Sequence, residues 1–205
     1  HFDWDEILAT ARLFLTSGIT TALSSSALAS VKASLEGAIR CQTKIVFDVN
    51  YRSKLWTPEE ARQALEPLLP HVDILLLSGG DAETVFGLDG NKGDELSGIM
   101  AQRYGVKTVC VIYSPRDRRA LWRISCFDQG TYYCAQQQGS LTTVDRLGAG
   151  DSFAAGFLTG FLEDGPQLGV NMGSAMMSLK NTFHGDFTWA TRDQIQMILE
   201  GGSSM

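Results

Sequence analysis

The sequence contains few of the residues that usually bind metals or form disulfides. It has four cysteines and three histidines in 205 residues, and no two cysteines form a C-x-x-C pair. Because no histidine lies at metal-ligand spacing from a cysteine, a zinc site of the usual kind is not expected. We interpret Cys41, Cys110, Cys126 and Cys134 as reduced structural thiols of a cytoplasmic protein.

Basic residues and long apolar runs are also scarce. Lys and Arg number 17 against 23 acidic residues, which gives a net charge of −6 and a pI of about 5.0. Surfaces that bind nucleic acids or anionic membranes need an excess of Lys and Arg, so neither partner is expected. No run approaches the ~18 apolar residues that indicate a transmembrane helix. The first residues do not have the basic and apolar regions of a signal peptide, so none is expected.

The sequence does contain enough apolar residues, 44% of the total, for the core of a single domain over residues 1–205. The chain begins at His1 without an initiator Met and enters a helical pattern at once. We therefore expect a domain that is incomplete at its N-terminus. Composition leaves open whether the protein forms a homo-oligomer.

Helical and strand patterns alternate over the first two thirds of the chain. Apolar residues at helical spacing predict a helix over 25–41. Thr57-Pro58-Glu59-Glu60 provides the capping residue, the N1 proline and the first-turn acids of another helix, which should end near residues 69–70. Nearly continuous apolar runs predict strands of a parallel sheet covered on both faces, at 44–48, 73–77 and 108–113.

The remaining segments complete the expected α/β pattern. A helix is predicted over 94–104, before the strand at 108–113. Residues 120–144 are rich in Thr, Tyr and Gln, and they predict short antiparallel strands with turns at Gly130 and Gly139. After residue 148 the chain is predicted to be helical, with breaks near 164–166 and 184–186. Alternating strands and helices at this spacing indicate a mostly parallel sheet.

In such sheets, ligands bind beyond the carboxyl ends of the strands. The candidate site residues are therefore the polar ones that directly follow the predicted strands: Asp48, Asn50, Arg52, Ser78 and Asp81. Arg52 has a planar fork of N–H donors that suits a carboxylate or a phosphate. A surface salt bridge is the alternative explanation of this residue.

The strongest motif is Gly148-Ala149-Gly150-Asp151, which opens a predicted helix. Glycines let the backbone approach a ligand closely, and a helix start offers unpaired N–H groups and partial positive charge, which together suit a phosphate. Asp151 at this position could accept a proton from an attacking hydroxyl. An ordinary glycine turn with an Asp helix cap is the simpler alternative. The motif is neither a Walker A sequence nor a dinucleotide-binding fingerprint.

The wider segment, residues 145–153, resembles the D-x-x-G-A-G-D-x-F signature of the ribokinase-like (PfkB) carbohydrate kinases. The resemblance implies a three-layer α/β sandwich with a mostly parallel central sheet. It also implies transfer of the γ-phosphate of ATP to a sugar hydroxyl, with Mg²⁺ bridging the phosphates. Gly148, Ala149 and Gly150 would form the anion hole, and Asp151 would be the catalytic base.

Two further segments are similar to those of 2-keto-3-deoxygluconate kinases. Residues 47–56 match F-D-x-N-Y-R-x-x-L-W, and residues 179–187 match L-K-x-x-x-x-G-D-F. The similarity implies that Arg52 lies between substrate and nucleotide, and that Asn50 and Tyr51 lie on the nucleotide side. It also implies that Asp186 holds a sugar hydroxyl; the residues alone also allow a turn aspartate after a glycine. The implied small-molecule partners are a sugar acid and ATP.

The chain departs from the family pattern at three places. Ser78-Gly79-Gly80-Asp81 replaces N-E-x-E or S-E-x-E, so Asp81 could take the Mg²⁺-associated role with a shorter side chain, or Ser78 could simply cap a helix. Residues 114–120 replace a K-x-G-x-x-G-A turn over the nucleotide, and Arg116 and Arg119 replace its glycines. Ser174 lies near the position of the family's adenine-side Asn.

The resemblance covers about the C-terminal two thirds of the family pattern, so we expect the N-terminal part and the lid to be absent. Two alternatives to a sugar-acid kinase stay open. One is a related kinase for another sugar, such as fructose or ribose. The other is a non-catalytic protein that retains only nucleotide or sugar binding.

Overall fold

The computed structural model describes residues 2–89, 93–113, 122–136 and 142–201. These residues include a six-stranded sheet whose strands follow one another in sequence order. The strands are β1 Leu13–Ser17, β2 Lys44–Asp48, β3 Ile74–Ser78, β4 Thr108–Tyr113, β5 Arg123–Asp128 and β6 Thr131–Gln136. β1 to β4 are parallel, with Leu13 opposite Lys44, Val46 opposite Ile74, and Ile74 opposite Thr108. The mostly parallel α/β sheet predicted from the sequence is confirmed.

Eight α-helices are described. They are α1 Trp4–Leu8, α2 Gly18–Leu23, α3 Ser25–Cys41, α4 Pro58–Leu65, α5 Gly79–Thr84, α6 Glu95–Tyr104, α7 Ala149–Lys180 and α8 Arg192–Leu199. Thr57, Ser78 and Thr191 each form a capping box at a helix start, which satisfies backbone N–H groups that have no partner inside the helix. Among the described residues, no helix is long and apolar enough to cross a membrane.

The helix predicted from Thr57 begins at Pro58 as expected, but it ends earlier than the sequence pattern suggested. α4 ends at Leu65, and a 3₁₀ helix follows at Leu69–His71. The reason is Pro70, whose ring would clash with the carbonyl of Glu66 if the α-helix continued. The prediction of a helix end near residues 69–70 is corrected accordingly.

The turn predicted at Gly130 is present between β5 and β6. Gln129 and Gly130 both have positive φ, 46° and 99°, as a two-residue hairpin turn of type I′ requires. The turn predicted at Gly139 and the arginine-rich segment at 114–120 lie outside the described residues.

The chain divides into two compact units. The first comprises the described residues up to Tyr113 together with Phe127–Thr131, and the second comprises the other described residues. The core of the first unit is built from buried side chains of β2, β3 and β4 and of the helices beside them, including Phe47, Leu65, Leu75, Leu96 and Val109. In the second unit, buried residues of α7 and α8 pack together, among them Leu179, Ile195 and Ile198.

α7 consists of two halves, because the backbone is not helical at Asp164 and Gly165. This confirms the break predicted near 164–166. The halves touch backbone to backbone: a methyl group added at Gly156 would lie 2.7 Å from the Met172 carbonyl oxygen. At Gly160 it would lie 2.7 Å from the carbonyl oxygen of Leu168. Glycine at these positions is therefore what allows the close approach of the two halves.

Candidate active site

The loops after β2 and β3 meet in the first unit, as expected for the carboxyl ends of neighbouring parallel strands. The backbone N–H of Tyr51 donates a hydrogen bond to the carboxylate of Asp81. The same carboxylate accepts a bond from the backbone N–H of Ser78 at 3.0 Å, and the Ser78 hydroxyl accepts from the N–H of Asp81 at 3.0 Å. Ser78 thus caps α5, and Asp81 joins that cap to the loop that contains Arg52.

The environment of Asp81 changes its acidity. Burial raises the pKa of its carboxyl, while the hydrogen bonds from Ser78 and Tyr51 and the positive charge of Arg52 act in the opposite direction. Burial has the larger effect on the pKa, because the loss of solvation penalises the charged form more than these contacts favour it. The Asp81 carboxyl therefore loses its proton less readily than an exposed one, although Arg52 lies close enough to favour the charged form.

The loop after β2 presents Arg52 to solvent. Asn50 has a positive φ of 41°, a conformation that Asn tolerates better than most residues. The Tyr51 hydroxyl donates to the carbonyl of Trp56 at 3.1 Å, and the N–H of Leu55 donates to the carbonyl of Arg52 at 2.9 Å. These bonds fix the loop backbone, while the Arg52 side chain is exposed. Its guanidinium donates to the Tyr51 carbonyl at 3.2 Å, which uses one of five N–H donors.

Gly18, which was not among the predicted site residues, shapes this loop. A methyl group added at Gly18, the first residue of α2, would lie 2.1 Å from the carbonyl oxygen of Val49. Only glycine therefore allows the start of α2 to pack against the chain just before Asn50. The available signal was a glycine that follows the short apolar run at 13–15 within three residues.

In the second unit, residues 148–151 form a turn into α7, which we call the glycine turn. Gly148 is the N-cap with a φ of 78°, and no side chain caps the helix. Among the described residues, a methyl group added at Gly150 would have no atom within 4 Å, so open space lies in front of its backbone. Asp151 lies in the first helical turn and is exposed. The first N–H groups of a helix have no intrahelical acceptor, so a helix start offers donors and positive potential to an anion. In this structure the N–H of Ala149 donates to the carbonyl of Arg146 at 3.1 Å.

The glycine turn lies directly against Asp186. A methyl group on Gly148 would lie 2.1 Å from the backbone oxygen of Asp186. Gly185 has a φ of 83°, which places a second tight turn before Asp186. Asp186 itself is exposed. The structure therefore brings Asp186 beside the glycine turn, although the two are far apart in the sequence.

Asp145 connects these two segments, and it was not among the predicted site residues. Its Oδ1 accepts a bond from the N–H of Leu147 at 2.9 Å, and its Oδ2 accepts one from the N–H of Gly185 at 3.0 Å. The two bonds lower the pKa of the Asp145 carboxyl, and the positive charge of Lys180 adds to the effect. Asp145 is the first residue of the family signature, which was the signal that could have identified it.

Ser174 differs from the other predicted site residues in being fully buried. Its side chain is fully buried in the second half of α7, and its carbonyl accepts a bond from the hydroxyl of Ser178 at 2.8 Å. The structure thus shows a packing position at this residue.

The sequence predicted an Mg²⁺-associated role for Asp81. Within the part of the chain that the structure describes, no three His, Cys, Asp or Glu side chains form a group that could hold a metal. Mg²⁺ usually keeps several waters and binds one or two carboxylates together with substrate phosphates. Asp81, the carboxylate beside Arg52, is consistent with that arrangement.

A parallel α/β sheet, polar loops beyond its strand ends and a glycine turn that opens a long helix together define the ribokinase-like class. Residues 2–185 match the pfkB family of carbohydrate kinases. The chain belongs to this family.

Individual relatives show which carbohydrate kinases of the family the chain is similar to. The chain is 34% identical to the 2-dehydro-3-deoxygalactonokinase of Haloferax volcanii over 97% of its own length and 60% of the relative. It is 36% identical to the 2-dehydro-3-deoxygluconokinase of Haemophilus influenzae over 60% of the chain and 37% of that relative. The solved 2-dehydro-3-deoxygluconokinase of Thermotoga maritima superposes with a TM-score of 0.87 at 29% identity, covering 97% of the chain and 63% of that structure. The chain thus spans less than two thirds of the length of these relatives.

Proposed function

We propose that the protein is a sugar-acid kinase that transfers the γ-phosphate of ATP to a hydroxyl of a 2-dehydro-3-deoxy sugar acid. The observation that carries the proposal is the glycine turn: an uncapped helix start with open space before Gly150 and an exposed carboxylate, Asp151, in its first turn.

In the proposed reaction, the carboxylate of Asp151 removes the proton of the acceptor hydroxyl. The hydroxyl oxygen then forms a bond to the γ-phosphorus, the bond to the oxygen shared with the β-phosphate breaks, and ADP leaves with that electron pair. The N–H groups at Gly148, Ala149 and Gly150 stabilise the negative charge that develops on the transferring group. Positioning and electrostatic stabilisation account for most catalysis in phosphoryl transfer.

Arg52 and Asp186 are proposed to orient the acceptor. A sugar acid has a carboxylate, which matches the planar N–H fork of an exposed arginine. Asp186, beside the glycine turn, can accept hydrogen bonds from sugar hydroxyls.

ATP and Mg²⁺ are the proposed phosphate donor and its ion. Asn50, Tyr51, Arg52 and Ser78 lie at adjacent loops after β2 and β3 and are assigned to the nucleotide side. Asp81 would hold Mg²⁺ indirectly, through water. The ion would neutralise phosphate charge and thereby make the γ-phosphorus easier to attack. Ser174, which is buried, is the weakest member of the proposed nucleotide set.

The test is an assay of ADP release with ATP and Mg²⁺ on this chain and on longer forms of the protein. The acceptors are 2-dehydro-3-deoxygluconate and 2-dehydro-3-deoxygalactonate, which are stereoisomers, with fructose and ribose as neutral sugars. We expect turnover with at least one sugar acid and little with either neutral sugar. Asp151→Asn should lower kcat by roughly 10²–10⁴-fold, the usual range for a catalytic base.

Asp164→Asn, which changes an exposed carboxylate at the break in α7, is the matched control and should leave kcat unchanged. Full turnover by Asp151→Asn would show that the base is misassigned. Preference for fructose or ribose would replace the sugar-acid assignment. ATP binding without turnover of any sugar, by the chain and by its longer forms, would favour a non-catalytic binding protein.

A further inference from the structure

Lys180, the last residue of α7, has no exposed surface. Burying an ammonium group is costly unless its donors are paired. This lysine belongs to the L-K-x-x-x-x-G-D-F segment, but the proposed reaction gives it no role. A buried cation close to a proposed anion site therefore requires an explanation.

The ammonium of Lys180 is paired with backbone carbonyls. It donates to the carbonyl of Phe183 at 3.2 Å and to the carbonyl of Asp145 at 3.4 Å. Asp145 begins the segment that leads to the glycine turn, and Phe183 begins the one that leads to Asp186. One side chain thus joins the backbones of both segments.

Neighbouring bonds connect the same two segments. The Asn181 carbonyl accepts from the N–H groups of Val144 at 2.7 Å and Asp145 at 3.1 Å. The Asp145 carboxylate accepts from the N–H of Gly185 at 3.0 Å. The ammonium of Lys180 adds two bonds to these connections, and we call the whole set of bonds between the two segments the junction.

We propose that Lys180 is a positioning residue for phosphoryl transfer, because its buried ammonium ties the Asp145 and Phe183 carbonyls and so fixes Asp186 relative to residues 148–151. The inference rests on the proposed function. Catalytic groups must be held close to the productive geometry, and small displacements are costly. Loss of the ammonium should therefore reduce turnover in protein that is still folded.

The first experiment compares Lys180→Met, which retains an unbranched apolar side chain, with Lys32→Met, which changes an exposed lysine on α3. Steady-state kinetics are measured well below each variant's melting temperature in the longest form that shows sugar-dependent ATP turnover. We expect Lys180→Met to lower kcat at least tenfold, with the KM values for ATP and sugar changed by less than threefold, and Lys32→Met to resemble the parent. A folded Lys180→Met protein with parental kcat would overturn the proposal.

A second variant allows chemical rescue. Lys180→Ala removes three methylenes and the ammonium, which n-propylammonium can replace. Saturable recovery of kcat by n-propylammonium, but not by 1-propanol, would show that the buried charge positions the site. Equal recovery by both compounds would mean that the lysine acts only by filling space, and it would overturn the proposal.

A readout that is independent of turnover separates this inference from the proposed function. Hydrogen exchange at the N–H groups of Leu147 and Gly185 reports on the junction, since both donate to Asp145. Lys180→Met should accelerate exchange at both by at least tenfold, while α3 exchanges as in the parent. If no sugar is phosphorylated, the proposed function fails. Faster exchange at Leu147 and Gly185 in Lys180→Met would still show that Lys180 positions the two segments. Unchanged exchange at both amides would refute the role of Lys180 whatever the activity.

Discussion

Gly148 and Asp186 touch through their backbones: a methyl group added to the α-carbon of Gly148 would lie 2.1 Å from the carbonyl oxygen of Asp186. The contact joins the start of α7 to the turn that follows its end. It holds the proposed anion hole beside the proposed sugar-binding carboxylate. The two glycines of the turn have different surroundings, because Gly148 meets backbone and Gly150 meets open space.

Gly148→Ala should therefore lower both stability and activity, whereas Gly150→Ala should lower activity alone. Gly148→Ala places a side chain at a φ of 78° and against a backbone oxygen. The left-handed conformation alone costs about 1–2 kcal/mol, so we expect a lower free energy of unfolding and loss of activity. Gly150→Ala should retain or slightly gain stability, yet lose kcat/KM because its methyl group enters the space proposed for phosphate.

Urea unfolding and the ADP-release assay check both variants. A Gly150→Ala protein that is as stable and as active as the parent would show that no ligand approaches that backbone. A Gly148→Ala protein of parental stability would contradict the contact itself.

Local structure was the part that the sequence predicted well. The bounds of α3, β2 and β4 are those predicted, and α4 begins at Pro58, because caps and buried apolar runs are local signals. β1, Leu13–Ser17, was not predicted as a strand. Its side chains are only partly buried or exposed, so its short apolar run is no stronger than that of a loop.

The residues of the proposed site are easier to select from the sequence than the bonds that connect them. The glycine turn and Arg52 are recognisable from residue type and position. The bonds of Asp145 to Gly185 and of Lys180 to Asp145 join residues 40 and 35 positions apart. No periodicity in the sequence specifies such pairs, because they depend on how the two halves of α7 fold back on each other.

Two site carboxylates should give opposite pH dependences of stability. The pKa of Asp145 is lowered in the folded protein, chiefly by the N–H groups of Leu147 and Gly185. Its stabilising contribution is therefore present above the unfolded pKa of about 3.9 and is lost as pH falls through the lower folded value. The pKa of Asp81 is raised by burial, so the folded protein binds that proton more tightly and loses stability as pH rises through the folded value.

Unfolding midpoints of the parent, Asp145→Asn and Asp81→Asn between pH 2 and pH 7 test this contrast. The advantage of the parent over Asp145→Asn should shrink on acidification below about pH 4. The stability of the parent relative to Asp81→Asn should improve as pH falls from 7 toward 4. Parallel curves for both variants would contradict the assigned environments.

Arg52 should matter for the acid group of the substrate rather than for folding. Arg52→Lys keeps the charge but removes the planar fork, and a hydrogen bond to a charged group contributes about 1.5–3 kcal/mol. We expect KM for the sugar acid to rise by roughly tenfold or more, with the unfolding midpoint unchanged because the side chain is exposed. Lys54→Ala, which removes a nearby exposed cation, is the control.

The amide of the same sugar acid completes this test, because it lacks the carboxylate charge. Its KM should be high with the parent and should change little on Arg52→Lys. If the substitution weakens the acid and the amide equally, Arg52 does not recognise the carboxylate, and an assignment to the nucleotide alone would follow.

The packing of the two halves of α7 makes a prediction about stability that does not depend on catalysis. A methyl group at Gly160 would lie 2.7 Å from the carbonyl oxygen of Leu168, and backbone cannot move aside as a flexible side chain can. Overpacking of this kind costs about 1–3 kcal/mol, so Gly160→Ala should lower the free energy of unfolding by that amount, despite the better helix propensity of Ala. Thr159→Ala, an exposed neighbour on the same helix, should change it by less than about 0.5 kcal/mol. Urea denaturation of both variants distinguishes the outcomes, and a Gly160→Ala protein as stable as Thr159→Ala would show that the helix halves are not in backbone contact.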